Sequence, residues 1–126
     1  SPLGRGFLTG HIKKYEDFEP TDWRRFSPRF QGENFQKNLM LVKKLEDMAS
    51  KKGCTTSQLA LAWVLAKGDF IFLIPGTTRL KYLEENVESL NIFLTNEELN
   101  ELETIAPKGI ASGSRYPEAM MKLVSA

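Results

Sequence analysis

The sequence predicts an α/β fold that is mostly helical and incomplete as an isolated chain. Three observations predict it. The run Phe70-Ile71-Phe72-Leu73-Ile74 is apolar without alternation, as in a strand buried on both faces. Around it, apolar residues recur at helical spacing in three stretches, and a fourth apolar run follows a helix-capping signature. No second convincing strand is present to pair with the first, so its two apolar faces demand partners that the chain does not contain.

Residues 1–33 come first and show neither period. Gly4, Gly6, Gly10 and Gly32 fall here with Pro2, Pro20 and Pro28, so the stretch reads as a long loop. Loops of this length are uncommon unless they bind something or are disordered. Tyr15, Phe18, Trp23, Phe26 and Phe30 argue for packing. The chain opens at once with loop chemistry and without an initiator methionine, which reads as a piece of a longer polypeptide.

From Asn34 the pattern becomes helical. Phe35, Leu39, Val42, Leu45 and Met48 or Ala49 share one face, and Gly53 supplies a C-terminal stop. Thr55 then stands three residues before Gln58, a capping-box signature, and the apolar run Leu59 to Ala66 follows. That helix is apolar almost all round, Trp63 included, so both sides are expected to be covered. The strand is expected over 70–75, bounded by Gly68-Asp69 and Pro75-Gly76. Leu80, Leu83, Val87 and Leu90 give a third helical stripe. Thr95 and Glu98 cap a fourth helix built on Leu99, Leu102 and Ile105, which Pro107 ends. The tail, 107–126, reads as a loop with a short final helix from Glu118. One domain is expected: the loop of 1–33, the helices and strand of 34–106, and that tail.

Composition narrows the function. With 41% apolar residues, one modest core is possible. Seventeen basic and sixteen acidic residues leave a net charge of +1, so no broad field draws nucleic acid or an anionic membrane. Cys54, the single cysteine, cannot form an internal disulfide, and one histidine with one cysteine cannot build a structural zinc site. A reducing, cytoplasmic setting fits. The stretch Leu59 to Leu65 is far shorter than the roughly 20 residues of a membrane span.

The sharpest motif is Ile74-Pro75-Gly76-Thr77-Thr78-Arg79, where a strand meets a glycine-bearing turn and a helix starts directly behind it. Free backbone N–H groups at such a helix start favour an anion, and Arg79 adds a planar donor suited to phosphate. An ordinary helix entry, with Thr78 as N-cap and Arg79 on the surface, fits the same spacing. The opening Ser1-Pro2-Leu3-Gly4-Arg5-Gly6 could wrap a pyrophosphate, because glycine permits close backbone approach, yet its spacing matches no dinucleotide fingerprint or P-loop. His11 lacks partners for a triad or metal site. Cys54 reads as a spectator thiol unless a helix N-terminus lowers its pKa. Arg24, Arg25 and Arg29, interleaved with Trp23, Phe26 and Phe30, read as a packed loop rather than a nucleic-acid surface.

Together these motifs resemble the aldo-keto reductases. SPLGRGFLTG is similar to the loop after the seventh barrel strand, RFSPRFQGENFQKN to the segment leading into the next helix, and CTTSQLALAWVLAKG to the long penultimate barrel helix. IPGTTRLKYLEENV is similar to the eighth strand with its phosphate-binding turn, and GSRYPEAMM extends the likeness into the tail. The subgroup that it most resembles includes aldehyde and ketone reductases and the potassium-channel β subunits.

The resemblance implies the C-terminal part of a (β/α)8 barrel, with NADP held at the barrel's C-terminal face. The Ser1–Gly10 loop would support the pyrophosphate and nicotinamide, through Ser1, Pro2, Leu3, Gly4, Gly6, Leu8 and Gly10. Arg79, with Gly76, Thr77 and Thr78, would grip the 2′-phosphate, which favours NADP over NAD. Glu85 and Asn86 would face the adenine, with Tyr82 lining the same pocket. Residues Arg24 to Phe30 and Tyr116 would shape the pocket of a small carbonyl substrate.

The implied activity of the complete protein is NADPH-dependent reduction of aldehydes or ketones. The family's catalytic tyrosine, lysine, aspartate and histidine come from earlier strands. None of Tyr15, Tyr82 and Tyr116 sits in a matching motif, and His11 falls in the wrong loop, so no catalytic residue is assigned and the chain alone is expected to be inactive. The expected partners are NADPH and the carbonyl compound, without nucleic acid or membrane insertion; a homo-oligomer is possible. Two other functions compete: a non-enzymatic, nucleotide-sensing or regulatory subunit, and a helical interaction module without a ligand.

Overall fold

A single long helix, α1 (Gly32–Lys52), is the spine of the molecule. The structure is a computed structural model and describes residues 1–124; the last two positions of the expected tail lie outside them. α1 ends where Gly53 takes a left-handed conformation at φ 74° and its N–H returns to the Ala49 and Ser50 carbonyls. Its buried face is Phe35, Asn38, Val42, Leu45, Met48 and Ala49. Leu39, expected on that face, is only half-buried and packs at its margin.

Asn38 takes the place instead, and its amide explains how. Its Nδ2 donates to the carbonyls of Arg29 (3.0 Å) and Ser112 (2.9 Å), and its Oδ1 accepts from the Ser112 N–H (2.8 Å). A buried amide with its partners found costs little and fixes geometry, so Asn38 clasps the tail to the N-terminal region.

α2 (Thr56–Leu65) starts at the predicted capping box. Thr55 Oγ1 accepts from the Gln58 N–H (3.2 Å), and Gln58 Oε1 accepts from the Thr55 N–H (3.0 Å). Leu59, Leu61 and Ala62 are buried, whereas Trp63 and Val64 are half-buried, so the helix is covered on fewer sides than its composition suggests. α4 (Asn96–Ile105) carries the same box with Thr95 and Glu98. Leu45, Met48, Ala49, Leu59 and Leu102 form one core where α1, α2 and α4 meet.

The second core belongs to the N-terminal region. Residues 1–33 are not an aperiodic loop: among the described residues they form short 3-10 turns at Gly4–Thr9, which is broken by a non-helical kink at Arg5 and Gly6, and at Tyr15–Asp17, Trp23–Phe26 and Pro28–Phe30. Phe7, Ile12, Phe18 and Phe30 pack on Phe35 and Val42 of α1. Edge-to-face rings hold the centre, with Phe7 and Phe35 at 5.6 Å and Phe18 and Phe30 at 5.5 Å between centroids. Turns of three to six residues are too short to show an amphipathic period, which is why the sequence pattern conceals them. Trp23 and Phe26, expected to pack, are exposed.

The segment expected as a strand is the main difference. Among the described residues no strand is formed, and 71–77 lack the ladder hydrogen bonds that define one. The period of a strand survives in their exposure: Ile71, Leu73, Pro75 and Thr77 are half-buried and alternate with exposed Phe72, Ile74 and Gly76. Burial on both faces is overturned, because Phe70, Phe72 and Ile74 are 93%, 85% and 89% exposed. No neighbouring strand covers them. α3 (Leu80–Glu88) follows, and its stripe of Leu80, Leu83 and Val87 is exposed for the same reason. The tail carries a short α5 (Glu118–Met121) where the sequence predicts it.

Candidate functional site

The chain's opening turn is wound left-handed. Gly4, Arg5 and Gly6 have φ of 58°, 63° and 89°. Glycine accepts this freely; arginine pays about 1–2 kcal/mol for it. Arg5 is held there by several contacts. Its N–H donates to Ser1 Oγ (3.0 Å) and its Nη1 to Ser27 Oγ (3.1 Å), while its guanidinium lies 5.0 Å from the Trp23 ring and 4.5 Å from the Tyr116 ring. Arg24 supports the turn from behind: it donates from Nη1 to the Arg5 carbonyl (3.1 Å) and from Nε and Nη2 to Asp22. A side chain on Gly6 would meet that Arg24 nitrogen at 3.0 Å.

Opposite this turn stands the start of α3. Arg79 is its N-cap residue, rather than Thr78, and makes no side-chain capping bond. Thr77 Oγ1 instead accepts from the Arg79 N–H (3.2 Å). α3 is tied to the beginning of α2: Thr55 Oγ1 donates to Glu85 Oε1 (2.7 Å), and Gln58 Nε2 donates to the Glu85 carbonyl (3.2 Å) and to Glu88 Oε2 (3.1 Å). The capping box of one helix thus positions the next.

Between the two lies an open cleft of about 440 Å³. Of the residues singled out from sequence, Ser1, Pro2, Leu3 and Gly6 line it from one side and Gly76, Thr77, Tyr82, Glu85 and Asn86 from the other. The remaining five are placed otherwise. Gly4 and Leu8 line a second cavity of about 540 Å³, which shares Ser1, Pro2 and Arg5 with the first. Gly10 faces the Glu46 carboxylate, at 2.7 Å from an added Cβ. Thr78 and Arg79 are exposed at the start of α3, outside the cleft lining, with the Arg79 guanidinium 5.9 Å from the Tyr82 ring.

Six lining residues were not singled out as site residues: Arg5, Thr9, His11, Ser57, Ile74 and Pro75. His11 stacks obliquely on Tyr82, with centroids 5.8 Å apart. Ser57, in the first turn of α2, could have been found from the capping box beside it; His11 could not, because its place depends on residue 82.

Other candidates resolve plainly. Burial pushes the Cys54 thiol up rather than down, against a nucleophilic role. Arg25 is spent on the Phe18 carbonyl (2.9 Å) and the Tyr15 ring, as a packed loop requires. Arg29 is different. Burial, and then Arg115 and Arg5 nearby, hold its guanidinium below the usual range.

The Aldo/keto reductase family model matches residues 1–107. Aldo-keto reductase yakc of Schizosaccharomyces pombe, whose name carries NADP(+), is 50% identical over 117 residues, 93% of this chain and 34% of its own length. Aldo-keto reductase str7 of Strobilurus tenacellus is 46% identical over 115 residues, 91% and 34% respectively. The solved structure of a glycerol dehydrogenase from Gluconobacter oxydans superposes with a TM-score of 0.75 at 28% identity, covering 92% of this chain and 34% of that one. The chain spans about a third of the length of the relatives it matches.

Proposed function

Because the chain belongs to the aldo/keto reductase family and has the fold of part of its (β/α)8 barrel, we propose that it supplies the cofactor side of an NADPH-dependent oxidoreductase that reduces aldehydes or ketones. One observation carries this reading: segments 1–11 and 74–86, far apart in sequence, face each other across a single cleft with complementary chemistry.

The donors suit a phosphorylated dinucleotide. The turn at Ser1–Gly6 presents backbone and a serine hydroxyl to a pyrophosphate. The first turn of α3 offers N–H groups and a helix dipole to the 2′-phosphate. Arg79 is exposed and makes no ion pair among the described residues, so it is available to that dianion. Tyr82 and Asn86 give the adenine a flat face and an amide. Glu85 plays a smaller part than its position suggests, because Thr55 already engages its carboxylate.

When bound, the nicotinamide supplies the hydride for the carbonyl carbon. The residues of this chain hold and orient the cofactor; the general acid comes from elsewhere in the complete protein. Titrating the chain with NADPH and NADH, as wild type and as Arg79→Ala, tests the assignment. A charge-assisted bidentate contact is worth about 1.5–3 kcal/mol, so NADPH affinity should fall by about tenfold or more while NADH is unaffected. Equal binding of both cofactors, or of NADPH by both proteins, would remove Arg79 from the site. No saturable binding of either cofactor would refute the cofactor role for this chain.

A further inference from the structure

The second cavity, about 540 Å³, lies among α1, α2, α4 and the tail. Its body is apolar, with Leu41, Leu45, Leu59 and Trp63 in its wall. Its charge is one-sided. Arg5, Arg29 and Arg115 all line it, and no aspartate or glutamate does, in a chain whose net charge is only +1. None of the three makes an ion pair among the described residues.

Like charges gathered beside an apolar space repel one another and lose hydration, a cost that an anion between them removes. Solvent alone is a poor substitute at Arg29. This residue is half-buried and held inward by its Nε donating to the Gly113 carbonyl (3.2 Å). That bond leaves its two terminal nitrogens without an acceptor among the described residues, in the fork arrangement that matches a carboxylate. The lowered pKa of Arg29 has the same origin, burial first and then Arg115 and Arg5.

We propose that this cavity binds a small amphipathic anion, its carboxylate at Arg29 and Arg115 and its apolar body against Leu41, Leu45 and Trp63. Ser1, Pro2 and Arg5 line both cavities, so a ligand here adjoins the proposed cofactor cleft. The reducible substrates are therefore oxo acids, carbonyl compounds that carry a carboxylate on an apolar chain. Only the word substrate rests on the cofactor reading; the anion site does not.

Hexanoate and hexanamide, alike in shape and different in charge, are the probes. Each is titrated into the 126-residue chain by NMR, following the Trp63 indole N–H, with wild type, Arg29→Met and Arg115→Met. Hexanoate should bind at least tenfold tighter than hexanamide. Arg115 is exposed, so Arg115→Met keeps the test valid if Arg29→Met unfolds; it should cut that preference severalfold, as should added salt. Equal affinities, no saturable shift, or a preference unchanged in Arg115→Met would overturn the proposal. NADPH titration of the same samples separates the two readings. Charge preference without NADPH binding supports the anion site and overturns the substrate assignment. NADPH binding without charge preference overturns the anion site alone.

Discussion

Thr55 Oγ1 lies 2.7 Å from Glu85 Oε1, a hydrogen bond that joins the N-cap of α2 to the helix forming one wall of the cleft. The same hydroxyl oxygen accepts the Gln58 N–H in the capping box. A single exposed threonine therefore serves one local and one long-range purpose.

Thr55→Ala removes both. Loss of the cap alone should cost about 1 kcal/mol, and Thr55→Ser should restore most of it. Loss of the Glu85 tether should also loosen α3, so amide exchange should accelerate in Leu80–Glu88 and not in α4. Uniform acceleration throughout the chain would mean that the tether does not act locally.

Gly109 and Gly113 share φ of 88° and differ in surroundings. A Cβ on Gly109 meets nothing within 4 Å, whereas on Gly113 it comes within 3.0 Å of the Pro28 carbonyl carbon and oxygen. Gly109→Ala should cost only the left-handed penalty, about 1–2 kcal/mol. Gly113→Ala must displace backbone as well and should cost about 1–3 kcal/mol more. Chemical denaturation of both variants checks the difference, and equal losses would contradict the packing of the tail on Pro28.

Acid should destabilise the protein through its capping carboxylates. Glu98 is held below its ordinary value by the Lys52 ammonium (2.8 Å) and then by the Thr95 N–H. A carboxylate lowered by folding stabilises the native state above its unfolded pKa and loses that contribution as pH falls through the folded value. The loss should therefore begin near pH 4.5, the ordinary value for Glu98, and deepen below it. Asp17 and Asp22 are lowered as well, the first by the Lys13 N–H and the second by the Arg24 side chain. Glu98→Gln preserves the capping box but not the charge, so its stability should change less between pH 5 and pH 3 than that of wild type. Parallel profiles would show that Glu98 does not contribute to the acid limb.

What the sequence made legible was local. Gly53, Thr55 with Gln58, and Thr95 with Glu98 mark helix ends through bonds that close within a few residues, and each stands where it was expected. Nine of the fourteen residues that the sequence points to line one cleft, because turn and helix-start chemistry is written into short motifs. What escaped notice depends on distant partners. Asn38 is a core residue only because Ser112 and Arg29 satisfy its amide. Arg5 tolerates a left-handed backbone only because Ser1, Ser27, Trp23 and Tyr116 surround it. The apolar run at 70–74 specifies a buried strand, but a strand needs a neighbour to supply its hydrogen bonds, and none is present among the described residues.

Phe72 and Ile74 point away from the body of the protein, and the backbone between Ile71 and Thr77 has no ladder partner among the described residues. The exposed stripe of α3 adds Leu80, Leu83 and Val87 to the same apolar surface inventory. Unpaired backbone beside exposed aromatic residues is a template for pairing with another chain. The isolated chain should therefore self-associate as its concentration rises, with a gain in β-structure by circular dichroism. Phe72→Lys places a charge on the exposed side without touching a buried contact, so it should suppress association and leave the thermal unfolding of the helices unchanged. Sedimentation at several concentrations decides the matter: a wild-type chain that stays monomeric throughout, or a Phe72→Lys variant that associates equally well, would show that residues 70–77 are not the sticky edge.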